Sequence, residues 1–98
     1  MRKIDVLLFN DINALDVAGP VQCFEAANQS KAGCYALRFV SAGSQSVRAD
    51  CGLRLQADAP FASTDSANDL LVPGGAGVDT LMEDPGILDV VRSYAKDR

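Results

Sequence analysis

Histidine is missing from this sequence, and with it the commonest general base and metal ligand. Tryptophan is missing too. The three cysteines, Cys23, Cys34 and Cys51, are odd in number and far apart, and no C-x-x-C pair occurs. That excludes a disulfide framework and a zinc site of the usual spacing, and leaves reduced thiols of a cytoplasmic chain as the expectation. No apolar run approaches the roughly 20 residues of a membrane span. The opening MRKIDVLLFND is broken by Asp5 and lacks a small-residue cleavage site, so a strand fits it better than a signal peptide. Basic residues are few and scattered: nine Lys and Arg against 13 Asp and Glu, a net charge of −4. Such a segment is not built to grip a phosphate backbone.

What is present is enough for one soluble domain of 98 residues, 48% hydrophobic and 22% charged. Ile4–Phe9 is almost continuously apolar, as for a strand covered on both faces. Gly19-Pro20 sets a helix start, and Val21, Phe24 and Ala27, widened by Cys23 and Ala26, predict a helix over 20–29. Tyr35, Leu37 and Phe39 alternate with their neighbours as in a strand near a sheet edge. Ser46–Ala49 and Leu53–Ala57 flank Asp50-Cys51-Gly52 and predict a hairpin. A polar stretch, Ser63–Asn68, leads to a strand at Asp69–Val72. A short helix then carries Val78, Leu81 and Met82, and another begins at Pro85 and carries Ile87, Val90, Val91 and Tyr94. This order, β-α-β, hairpin, β-α, predicts an α/β domain with a mainly parallel sheet. Three main strands make a thin sheet, so the sequence reads as the front half of a domain.

Ligands of open α/β sheets bind outside the carboxyl ends of strands. With the first strand between the second and the last, the loop after Phe9 and the glycine loop after Val72 would flank one crevice. Asp16 and Gly75 would face it. Gly74-Gly75-Ala76-Gly77 is neither G-x-G-x-x-G nor followed by G-K-[ST], so no dinucleotide or P-loop nucleotide is indicated. Two readings of it stay open: a tight turn with positive φ, or main-chain N–H groups aimed at negative charge. For Asp16, amid Leu15, Val17 and Ala18, the readings are a carboxylate holding backbone N–H groups of the turn or a partly desolvated reactive group. None of the three cysteines is placed as a nucleophile: Cys23 falls on the apolar side of a helix, Cys34 begins a strand and Cys51 sits in a turn.

Together, IDVLLFNDINALDVAGPVQCFEAAN, VRADCGLRL and DLLVPGGAGVDTL resemble the amidotransferase-like ThiJ/PfpI superfamily, and more closely its branch fused to AraC-type transcriptional regulators. The most specific parts are Leu15-Asp16-x-x-Gly19-Pro20 and the LLVPGG-x-G loop. The resemblance implies a flavodoxin-like three-layer α/β sandwich, commonly dimeric, of which residues 1–98 are the N-terminal portion with a small β-hairpin. It matches Asp16 to an acidic residue that bonds a cysteine nucleophile, and Gly75 to an oxyanion donor. The elbow cysteine, the later histidine and any helix-turn-helix domain would lie beyond Arg98, so this chain would be a truncated product or a fragment.

The expectation is therefore a partial ligand-sensing and dimerisation domain of an AraC-type regulator. Its crevice at Asp16, Gly74 and Gly75 would take a small polar or anionic metabolite, and it would touch DNA only through a further domain. No cofactor, metal, membrane contact or catalytic residue is expected within these residues. The alternative is a fragment of a ThiJ/PfpI-type enzyme, isonitrile hydratase-like or amide-processing, whose cysteine lies past residue 98.

Overall fold

The computed structural model describes residues 1–63 and 68–96. Residues 64–67 of the predicted polar stretch lie outside this range. Strand β1, Arg2–Leu8, is the central strand: Asp5, Val6, Leu7 and Leu8 are all buried, as the continuous apolar run requires. It pairs in parallel with β2, Tyr35–Ser41, on one side and with β6, Asp69–Leu71, on the other. Placing the first strand between the second and the last therefore holds. The short β5, Ala59–Pro60, extends the sheet by pairing in parallel with Val40 and Ser41, giving the order β5-β2-β1-β6. Among the described residues the sheet has four strands rather than three. A two-residue strand is below what periodicity can show, but it swings Phe61 into the core, where it is almost fully buried.

The hairpin forms as expected from β3, Ser46–Arg48, and β4, Arg54–Gln56, with Gly52 at φ +95° in the turn. Val47 is buried and faces Leu55 across the pair, while the flanking Arg48 and Arg54 are exposed. Beyond the glycines come α2, Val78–Met82, and α3, Pro85–Ala95. Asp84 caps α3 through Oδ1, accepting from the Gly86 and Ile87 N–H groups, and Pro85 occupies the first helical position. The fold is thus α/β with a mainly parallel sheet and flanking helices.

Two expectations about α1 are corrected. The helix spans Ala14–Ser30, not 20–29. Its cap is Asn13, whose Oδ1 accepts from the Leu15 and Asp16 N–H groups at 3.0 and 3.2 Å. Pro20 therefore lies inside the helix, where its missing N–H removes the bond that would reach back to the Asp16 carbonyl. Cys23 and Ala26 are exposed and do not widen the inner stripe, in which Val17 is buried and Val21, Phe24 and Ala27 are half-buried. At its far end α1 is tied to β2 twice. Asn28 exchanges two 2.9 Å hydrogen bonds with the Tyr35 backbone, and the Phe24 and Tyr35 rings meet edge to face at 4.8 Å.

One buried carboxylate organises the other helix. Asp5, 1% exposed in the middle of β1, accepts a 2.7 Å hydrogen bond from the Tyr94 hydroxyl on α3 and a 3.2 Å bond from Asn68. Tyr94 stacks on Phe61 with centroids 5.8 Å apart and planes at 9°. A carboxylate in a strand core is costly unless bonded, so this network fixes where α3 sits on the sheet.

Candidate functional site

Four residues after β1, Asn10 to Asn13, carry the hydrogen bonds that gather the site. On one side they hold the hairpin: the Asp11 N–H donates to the Arg48 carbonyl at 2.8 Å, and the Asp50 N–H donates to the Ile12 carbonyl at 2.9 Å. The Arg48 N–H donates to Asn10 Oδ1 at 3.0 Å. On the other side they hold the glycine loop. The Asn13 N–H donates to the Gly74 carbonyl at 2.9 Å, and the Gly77 N–H donates to the Asp11 carbonyl at 3.1 Å. Ile12 and Gly75 form an antiparallel bridge.

Asp11 makes both kinds of contact with φ at +62°, the only left-handed residue other than glycine among those described. Aspartate tolerates that region better than most residues, and a β-branched one does not. Asp11→Gly should therefore leave thermal stability unchanged or slightly raised, whereas Asp11→Val should cost about 1–2 kcal/mol. Denaturant melts of the two variants measure the difference.

The glycine loop needs its glycines for two different reasons. Gly75 has φ +137°, and a Cβ there would stand 2.5 Å from the Asn13 nitrogen and 2.6 Å from the Asp11 carbonyl oxygen. Backbone closes on it from the Asn10–Asn13 side. Gly74 is different: a Cβ would meet only the Asp16 carboxylate, with Oδ2 at 2.8 Å. Asp16 thus lies directly against Gly74, and its side chain is the only thing that a larger residue at 74 would displace.

The bond that flanks the bridge runs from Asn13 to Gly74, so Ile12 and Gly75 exchange no hydrogen bond of their own. The Gly75 N–H donates to nothing among the described residues. A main-chain N–H with no acceptor among the described residues thus belongs to the residue next to Gly74, against which the exposed Asp16 carboxylate lies: one can donate a hydrogen bond, the other accept one.

Asp16 is exposed, so the described residues do not by themselves desolvate its carboxylate. It does not hold the turn, since Asn13 caps the helix. In the first turn of α1 its charge is favoured by the helix dipole instead. Asn13, followed three residues later by Asp16, is a cap signal that the sequence carried and that the nearby Pro20 obscured. None of the cysteines lines this site: Cys23 and Cys51 are exposed, Cys34 is half-buried just before β2, and all three are free thiols. No group of metal-ligating side chains occurs among the described residues. No helix among them is long and apolar enough to cross a membrane.

A central parallel strand whose carboxyl-end loop meets a glycine loop from its neighbour defines a flavodoxin-like α/β domain with a candidate site at the strand ends. More narrowly, the chain belongs to the DJ-1/PfpI family, which it matches over residues 2–98. It is 32% identical to an isonitrile hydratase of Pseudomonas putida, over 95% of this chain and 39% of that protein. Among solved structures it resembles a ThiJ/PfpI family protein from Pseudomonas syringae, with a TM-score of 0.82 and 21% identity, covering 95% of this chain and 37% of that one. It also resembles an AraC family transcriptional regulator from Pseudomonas putida, with a TM-score of 0.74 and 21% identity, covering 95% of this chain and 52% of that one. The chain thus spans about half or less of the length of these relatives.

Proposed function

We propose that the ledge formed by Asp16, Gly74 and Gly75 binds a small polar metabolite, and that the chain is the sensing part of an AraC-type transcriptional regulator that works as a dimer. The observation that carries the reading is an exposed carboxylate in the first turn of α1, set against a glycine loop whose Gly75 N–H has no acceptor among the described residues. Such a pair favours a neutral group with both a donor and an acceptor over a free anion, which the Asp16 charge would repel. DNA contact belongs to a domain outside these residues, in keeping with the acidic balance of nine basic to 13 acidic residues.

Gly74→Ala separates binding from folding. The new methyl meets only the end of an exposed side chain, so stability should fall by less than about 1 kcal/mol. Asp16 must move, however, and ligand response should fall at least ~10-fold, as it should in Asp16→Ala. Thermal-shift screening against a metabolite panel, with wild type and both variants side by side, reads the two quantities together. Ligand shifts equal in all three proteins would remove the ledge from consideration.

A second reading is favoured by the 32% identity to the isonitrile hydratase. In it, Asp16 orients a reacting group supplied by chain outside these residues, and Gly75 donates to developing negative charge. Isonitrile hydration assayed on the longest natural form of the protein distinguishes them. Turnover lost in Asp16→Asn with ligand affinity kept supports the enzyme; ligand-dependent DNA binding without turnover supports the sensor.

A further inference from the structure

The segment after β1 also borders a hollow that the ledge does not use. A cavity of about 200 Å³ opens between the ends of β1 and β2, α2 and the start of α3, with Phe9, Asp11, Thr80, Leu81, Asp84 and Ile87 among its walls. A second cavity of about 280 Å³, reaching Phe61 and Val90, shares Ala42, Gly43, Asp84 and Ile87 with the first. As one cleft the two fall in the size range of small-molecule sites, roughly 300–1,000 Å³. Asp16, Gly74 and Gly75 line neither of them.

The floor of this cleft is apolar: Phe9 and Phe61 are buried, and Leu81, Ile87 and Val90 are half-buried. Its rim carries charge of one sign. Asp11 and Asp84 are the charged residues that line it among those described, with no lysine or arginine beside them. The start of α3 keeps no donor for an anion. Asp84 Oδ1 accepts from the Gly86 and Ile87 N–H groups, and the Asp84 carbonyl accepts from the Leu88 N–H at 3.0 Å. Acceptors are what remain: the Asp11 carboxylate and Asp84 Oδ2 receive no hydrogen bond among the described residues, and the Thr80 hydroxyl is unbonded there too.

We propose that this cleft binds a small molecule with a cationic amine on an apolar body. The body covers the Phe9, Leu81 and Ile87 floor, and the amine donates to the Asp11 and Asp84 carboxylates. Apolar burial supplies affinity, and the two carboxylates select the sign of the charge. An anion would meet two like charges with no donor to offset them. A divalent cation needs more oxygen ligands than two carboxylates give, and no group of three or more metal-ligating side chains occurs among the described residues. The site goes beyond the ledge reading and does not depend on it.

Nitrogen–proton correlation NMR of the full chain, titrated with benzylamine as its ammonium ion, tests it. The Gly43, Gly77, Thr80 and Leu81 amides should shift together and saturate with a Kd on the order of 1 mM. Benzyl alcohol should bind wild type at least ~10-fold more weakly, and benzoate should bind more weakly still. Asp11→Asn/Asp84→Asn removes both charges and keeps the fold, because asparagine caps a helix as well as aspartate and tolerates the left-handed region. A dispersed spectrum checks that, and the variant should raise the benzylamine Kd at least ~10-fold. Absence of saturable shifts at these amides overturns the proposal. So does equal binding of the amine and the alcohol to wild type, or a Kd that ignores the double substitution. Shifts abolished by Asp16→Ala would put the amine on the ledge instead and overturn it as well.

Discussion

Replacing Gly75 by alanine is expected to lower the stability of the domain by about 3–5 kcal/mol, the sum of a glycine-only backbone and an unrelieved clash. The φ of +137° is the first part. The second is the identity of the atoms in the way. The Asn13 nitrogen at 2.5 Å, the Asp11 oxygen at 2.6 Å and the Ile12 carbonyl carbon at 2.8 Å are all main chain, and the hairpin holds them from behind. They cannot turn aside as a side chain would. Against a total of roughly 5–15 kcal/mol for natural domains, such a loss leaves a marginal fold. Urea melts of Gly75→Ala and Gly74→Ala should therefore differ by several kcal/mol although the residues are neighbours. Similar midpoints for the two would show that the bridge between Ile12 and Gly75 is not held. The valine variant should be worse still, because β-branched residues resist positive φ most.

The second large effect is expected at the buried network of Asp5. Tyr94→Ala should cost about 3–5 kcal/mol, because it empties an aromatic site against Phe61 and strips a donor from a buried carboxylate. Tyr94→Phe keeps the ring and removes only the hydroxyl. Its cost should be about 1.5–3 kcal/mol, the range for a hydrogen bond to a charged group. A double-mutant cycle with Asp5→Val tests the coupling. If the hydroxyl acts through Asp5, then Tyr94→Phe in the Asp5→Val background should be nearly free, since no carboxylate remains to be left unpaired. Additive losses would mean that the hydroxyl acts through a group other than Asp5.

Much of the architecture can be read from composition and period, and its gaps have physical causes. Ile4–Phe9 announces a fully covered strand because buried parallel strands need no alternation. Asp5 within that run looks like an interruption until Tyr94, 89 residues away, supplies its donor. The start of α1 is misplaced because Gly19-Pro20 is a strong local signal, while the real cap, Asn13, speaks through side-chain geometry. The strand at Ala59–Pro60 has no sequence signature, being two residues long. At the candidate site, the glycine motif indicates that main chain comes close. It does not say that Gly75 is closed in by Asn13 and Asp11 while Gly74 is crowded only by Asp16, since those neighbours lie some 60 residues earlier in the sequence.

The position of β1 also bears on how the domain is made. The strand at the centre of the sheet precedes its second neighbour by a long stretch: Ile4 pairs with Asp69, 65 residues later. At about 5–20 residues per second on a ribosome, β1 waits roughly 3–13 s after emergence before that partner exists. Meanwhile only β2, close behind in the chain, can cover one edge, and the other presents an apolar strand to whatever is near. During synthesis the innermost strand of the finished sheet is thus its most vulnerable edge.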